Sequence, residues 1–238
     1  MTRRRWIADE VSGSRAVLTG VHADHLTRVL RARIGQEFDI ATGSRVRTGR
    51  ITAIEQGRVE FELGEDVVTE VVTPGVTVAL SIFKFDPMEW AIEKCTELGA
   101  ARIIPVVARR TDPHLASAAV KRADRWRRIA HEAAEQSRRA AVPDIPQPME
   151  LKDVLILPGS ARIVLSEVES KVMLTDALPS PLPADLILAF GPEGGWAESE
   201  LDQFQGAGWK SASLGGTILR AETAAIAALA VLMSHLRR

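Results

Sequence analysis

An α/β protein in two parts is predicted: a small β-rich domain over residues 1–73, then a mostly parallel sheet covered by helices over 76–238. Three observations carry this. Short alternating runs broken by glycines 35, 43, 49, 57 and 64 fill the first 72 residues, as closely spaced strands of a small barrel or sandwich would. From Val76 onward, apolar runs of strand length alternate with stretches of helical period, the pattern of a parallel sheet with helices on both faces. Between the two stands Thr73-Pro74-Gly75, which stops helices and strands alike.

In chain order, strands are expected at 15–18 (RAVL), 37–42 (EFDIAT), 45–56 (RVRTGRITAIEQ) and 58–63 (RVEFEL), with one helical stretch near 22–33. VTVALSIF at 76–83 is a strand of the fully buried kind. DPMEWAIEKCTELG follows as a helix. Asp86 suits its cap, Pro87 its first position and Glu89 the acid of a capping box. Gly99 ends it, and ARIIPVV at 101–107 is the next strand. Trp126, Ile129, Ala130, Ala133 and Ala134 share a helical face within 123–139. Strands follow at 161–166, 185–190 and 211–214, and helices at 198–206 and 221–236. The stretches 140–160 and 177–184 are proline-containing connections. The last helix is apolar nearly all round and needs cover on more than one side.

Composition excludes several classes. Hydrophobic residues make up 46% and charged residues 26%, an ordinary globular balance. MTRRRWIADEVSG carries no apolar run after its arginines, so a secretory signal is not expected. AAIAALAVLM at 224–233 is too short to span a bilayer. Cys95 is the single cysteine, which forbids an internal disulfide and fits a cytoplasmic protein. It shares a helix face with Ala91, Ile92 and Leu98 and is expected to pack. His22 and His25 lie three apart without a third ligand, so no metal site is expected.

The net charge of −1 conceals a segregation. Residues 1–50 hold ten arginines against five acids, residues 51–72 one against six, and residues 121–139 seven basic residues against three acids. Arginine-rich patches keep a nucleic acid open as partner, and a bias toward arginine on solvated faces explains them equally well.

Ligands of parallel sheets collect beyond the carboxyl ends of strands. Three candidate loops leave such ends: SEVES (166–170), GPEGGW (191–196) and GGTILRAET (215–223). GPEGGW is no phosphate cradle, because Ala197 stands where a P-loop has lysine and Glu193 would repel phosphate. Its glycines allow close backbone approach, which suits a nucleoside-like ligand of little negative charge. A turn before a helix begun by Glu198 and Glu200 is an equal alternative. Arg220 is less easily explained, since a cation at a helix start is disfavoured. It is expected to face an anion or a developing negative charge.

GPEGGW and LGGTILRAETA (214–224), in that order near the C-terminus, resemble the signature loops of the bacterial enzymes that methylate N3 of a uridine in 16S ribosomal RNA, within the SPOUT class of S-adenosylmethionine-dependent methyltransferases. EWAIEKCTELGAARIIP (89–105), WRRIAHEAAEQSRRAAVPDI (126–145) and HLTRVLRARIGQ (25–36) are similar to further segments of that family, so the resemblance spans nearly the whole chain. Thr217 and Asp24 depart from it: the family often has arginine or a similar residue at the first position and a second histidine at the other.

The resemblance implies an N-terminal PUA-like β-barrel that binds RNA, a trefoil-knotted C-terminal domain and a homodimer acting on 16S ribosomal RNA or the assembled small subunit. It implies that S-adenosylmethionine is held by Gly191, Glu193, Gly194, Gly195, Gly215 and Thr223, with Leu165, Leu214, Ile218 and Leu219 as apolar walls. Arg220 would stabilise charge on the uracil, and Glu222 is a candidate base. Arg5, His25, Arg28, Arg31 and Arg138 are the expected RNA contacts. The retained GPEGG and ILRAET stretches argue against an assembly factor that has lost its chemistry, and the absent G-x-G-x-x-G argues against an oxidoreductase.

Overall fold

Residues 5–43, 45–67 and 75–235 are described by the computed structural model. The chain divides into two units, Met1–Val71 with Ala134–Val142, and Val72–Ala133 with Pro143–Arg238. The expected boundary residues Thr73 and Pro74 lie outside the described residues.

The first unit runs β1 (Arg5–Ile7), β2 (Glu10–Ser12), β3 (Arg15–Thr19), α1 (Gly20–Asp24), β4 (Glu37–Ala41), β5 (Val46–Glu55) and β6 (Arg58–Asp66). The strands form one curled mixed sheet in the order β1-β4-β5-β6-β3-β2, a half-barrel. Only β1–β4 is parallel. Period-two alternation decides which side faces in: along β6, Val59, Phe61 and Leu63 are buried. They meet Leu18, Leu26, Phe38, Ile40 and Ile51, with Phe38 edge-on to Phe61 at 6.5 Å. Each such side chain contributes roughly 1.5–3 kcal/mol through burial. A smaller cluster joins Ile7, Ala41 and Val46 to Ala134, flanked by Ala140 and Val142, and this attaches the late segment to the unit.

The helix expected at 22–33 is shorter and irregular. After α1, residues His25–Val29 form a π-helical turn in which the Leu30 N–H donates to the His25 carbonyl at 3.1 Å. The Thr27 hydroxyl donates back to the Ala23 carbonyl at 2.8 Å, and Arg31, at φ 51°, ends the turn.

The second unit runs β7 (Gly75–Ser81), α2 (Phe85–Glu97), β8 (Arg102–Val107), α3 (Pro113–Gln136, whose last residues count with the first unit), β9 (Met149–Glu150), α4 (Leu151–Leu155), β10 (Ala161–Leu165), α5 (Leu174–Ala177), β11 (Asp185–Phe190), α6 (Glu198–Gly206), β12 (Lys210–Ala212) and α7 (Ala221–His235). Its sheet is wholly parallel, in the order β12-β10-β11-β7-β8-β9. On one face Trp196, Phe204 and Trp209 stack edge-to-face at 4.9 and 5.0 Å beneath Ile187 and Val164. Among the described residues no helix is long and apolar enough to cross a membrane.

Four local expectations are corrected. Helix α2 starts one residue before Asp86, with Lys84 as N-cap and no side-chain cap. Glu89 forms no capping box: nearly buried, it accepts both bonds of the Arg125 Nε at 2.8 and 2.9 Å and pairs with Arg122 at 2.9 Å. Helix α3 begins ten residues earlier than expected, because its inner face there is Ala119 and Ala123, too weakly apolar to register as a stripe. The connection 140–160 also carries β9 and α4.

Candidate functional site

The loops after β10, β11 and β12 leave three neighbouring strands at their carboxyl ends and enclose a cavity of about 540 Å³. Hydrogen bonds fasten them together. The Trp196 indole donates to the Leu165 carbonyl at 3.1 Å, joining the second loop to the first. Ser213 donates its N–H to Val172 and accepts from Leu174, both at 2.8 Å, joining the third to the first. Within the first loop, the Glu169 carboxylate accepts the N–H groups of Lys171 and Val172 at 2.8 and 3.1 Å, which hold its carboxyl below the usual range.

Two glycines sit where a side chain would be crowded or strained. A Cβ on Gly191 would lie 3.2 Å from the Trp196 nitrogen and 3.3 Å from the Gly195 carbonyl carbon. Gly195 has φ +69°, with the Glu167 carboxylate 2.0 Å from where its Cβ would be. The loop is therefore folded tightly on itself, and its Gly195 N–H closes a turn onto the Pro192 carbonyl at 2.8 Å.

The cavity's chemistry is one-sided. Glu167, Glu169 and Glu193 line it, and none of the described lining residues is basic. Leu165, Met173, Phe190, Leu214, Ile218 and Leu219 supply apolar wall. Such a site rejects a triphosphate on charge and suits a compact ligand with apolar surface and a cationic centre. S-adenosylmethionine has that make-up, so the residues present fit it.

Of the residues expected to hold it, Leu165, Gly191, Glu193, Gly194, Gly195, Leu214, Gly215, Ile218 and Leu219 line the cavity together. Thr223 is exposed on the first turn of α7 and is not among the lining residues. Arg220 immediately precedes α7, between lining residues Leu219 and Ala221, with its side chain exposed. Its guanidinium has no hydrogen bond or ion pair among the described residues. Glu222 is 7% exposed and is not part of the wall. Met173, Phe190 and Ser213 line the cavity without having been singled out. Met173 comes close because it pairs with Ser213, a bridge that carries no sequence signal. Cys95 is fully buried, as expected of a packing residue.

The five expected RNA contacts all fall in the first unit, Arg138 included. Arg5 donates through Nη1 to the Arg138 carbonyl. His25 sits edge-on to Trp6 at 5.7 Å. Arg28 is exposed and 3.5 Å from Asp24, and Arg31 is exposed on its left-handed backbone.

Residues 72–233 match the model of the RNA methyltransferase domain family. The chain is 34% identical over 230 residues to ribosomal RNA small subunit methyltransferase E of Mycobacterium bovis, covering 92% of this chain and 86% of that one. The chain belongs to this family, the ribosomal RNA small subunit methyltransferases E. The Synechocystis methyltransferase E is 32% identical over 93% of this chain and 74% of its own length. In solved structures, the methyltransferase E of Neisseria gonorrhoeae bound to S-adenosyl methionine superposes with TM-score 0.84 at 30% identity, covering 98% of each chain. A Legionella pneumophila putative methyltransferase, in complex with the same cofactor, gives 0.83 at 28% over 98% of each.

Proposed function

We propose that this chain transfers the methyl group of S-adenosylmethionine to N3 of a uridine in 16S ribosomal RNA, free or within the small subunit. The observation that carries this reading is the acid-lined, lysine-free cavity at the ends of β10, β11 and β12, in the fold of relatives that bind S-adenosylmethionine. The cofactor supplies a methyl group on a sulfonium. Gly191, Glu193, Gly194, Gly195 and Gly215 bring backbone and one carboxylate to it, and Leu165, Leu214, Ile218 and Leu219 exclude water.

Uracil must lose its N3 proton as the new bond forms, and the negative charge spreads to O2 and O4. Arg220, exposed at the cavity's edge, stabilises that charge. Glu222, buried in the first turn of α7, is assigned to the helix start, where the dipole favours an acid, rather than to proton removal. Arg5, His25, Arg28, Arg31 and Arg138 bind RNA, chiefly at phosphates. The protein works as a homodimer in the cytoplasm, with α7 at the subunit contact.

The test is nucleoside mass spectrometry of 16S ribosomal RNA and of small subunits treated with the protein and cofactor, expecting 3-methyluridine. Arg220→Ala should lower turnover about a hundredfold or more while calorimetry finds cofactor affinity within about threefold of wild type. Near-normal turnover in that variant overturns the role of Arg220.

A further inference from the structure

The β8–α3 turn contributes no residue to the cavity wall, yet it grips the GPEGG loop from outside. Arg110 Nη1 donates to the Gly194 carbonyl at 2.6 Å, and its Cδ lies 3.4 Å from where a Gly194 Cβ would be. Next to it, the Arg109 N–H donates to Glu200 Oε1 at 2.8 Å, while Glu200 Oε2 accepts the Ala197 N–H at 2.8 Å. Glu200 is only 3% exposed. One buried carboxylate thus joins the turn to the end of the loop. Arg109 Nη1 adds a bond to Ser199 Oγ at 3.0 Å. The turn itself is braced: Thr111 accepts from Ala108 N–H at 3.1 Å and donates to the Ile82 carbonyl at 3.3 Å.

We propose that Arg110 and Glu200 are positioning residues that hold the 191–197 loop in its binding shape, so that the loop is ordered before the cofactor arrives. A backbone loop recognises its ligand only where its carbonyls and N–H groups are fixed. Any ordering left undone in the free protein is subtracted from affinity. Arg110 spans the loop at Gly194, where no regular structure holds it, and the charged donor makes this bond stronger than a neutral one. Glu200 fixes the exit of the loop into α6 by satisfying two N–H groups that lie on different parts of the chain. Neither residue lines the cavity.

This rests on the reading of the cavity as the S-adenosylmethionine site, and two measurements on the full-length protein separate the two claims. Hydrogen exchange of the 191–197 amides without cofactor reads the clamp alone, and calorimetric titration with S-adenosylmethionine reads its consequence. Arg110→Ala, an exposed substitution that leaves the core intact, should speed exchange in that segment. It should raise the cofactor Kd and KM about fivefold, with kcat at saturation near wild type and the melting midpoint within about 2 °C. Arg110→Lys, which keeps a cationic donor, should recover part of the affinity. Glu200→Gln keeps one acceptor oxygen and should show the same pattern at the loop's end. Unchanged exchange in both Arg110→Ala and Glu200→Gln overturns the clamp and leaves the cofactor site standing. Faster exchange with unchanged cofactor affinity overturns the claim that this ordering serves binding, whereas a wild-type protein that gives no heat of binding with S-adenosylmethionine overturns the reading of the cavity instead.

Discussion

Arg220 and Cys95 show how differently single residues can be read. The unfavourable place of Arg220 before a helix was visible from spacing alone. The glycines of GPEGGW were legible as a loop that allows close approach, because three of its six residues carry no side chain. The partners of that loop were not. Glu200 reads locally as a helix-start acid, and its bond to Arg109 crosses 91 positions that no periodicity connects. Cys95 yields a pH prediction. Burial among apolar side chains pushes its thiol from 9.0 up to about 12. A pKa raised in the folded state gives stability that is complete below the unfolded value and lost as pH rises toward the folded one. Stability from this residue should therefore hold below pH 9.0 and drain away between there and about 12. Cys95→Ala should flatten that limb in denaturant titrations, and iodoacetamide at about pH 8 should label Cys95 only after unfolding. Labelling of the native protein at the unfolded rate would contradict this.

Among the elements, strands and helices with a strong stripe stand where periodicity puts them. The 185–190 strand and the 198–206 helix match throughout. Misplaced ends arose where tertiary partners outweigh local signals. Glu89 was claimed by two arginines of α3 instead of its own helix start, and the alanines of early α3 pack without announcing themselves. Helix α7 holds a separate message. Ala221, Ala225, Ala228, Leu229 and Leu232 are buried, and α7 packs chiefly against α2, whereas Ala227, Ala230 and Val231 form a second face that this chain leaves partly open. If that face meets a second copy, light scattering should give twice the 25.9 kDa of one chain. Ala230→Arg should return it to a single chain's mass with helicity retained. A wild-type protein of one chain's mass would refute the homodimer.

At the scale of the molecule, a net charge of −1 says little about a partner, because the charges are sorted. The first unit gathers Arg5, Arg28, Arg31 and Arg138, from positions 133 apart in sequence at the extreme. That Arg138 belongs there could not be read from the chain, since it is the packing of Ala134, Ala140 and Val142 and the bond from Arg5 that reveal it. Four phosphate contacts predict that log K for a 16S ribosomal RNA fragment falls against log[salt] with a slope of roughly −3. Arg28→Ala and Arg31→Ala should each reduce that slope by about 1. A flat salt response in filter binding would remove the electrostatic role from these arginines.

The order β12-β10-β11-β7-β8-β9 bears on how the molecule comes into being. While a chain is still being synthesised, β7, β8 and β9 can pair as they emerge, but both neighbours of β10 come later in sequence. Until residues 185–190 appear, the nascent sheet is one ribbon with an open edge and one strand without a mate. The strand that closes this gap runs directly into GPEGG. Birth order thus ties the joining of the sheet's two halves to the arrival of the loop that lines the cavity, and only β12 with the loop after it remains to complete both.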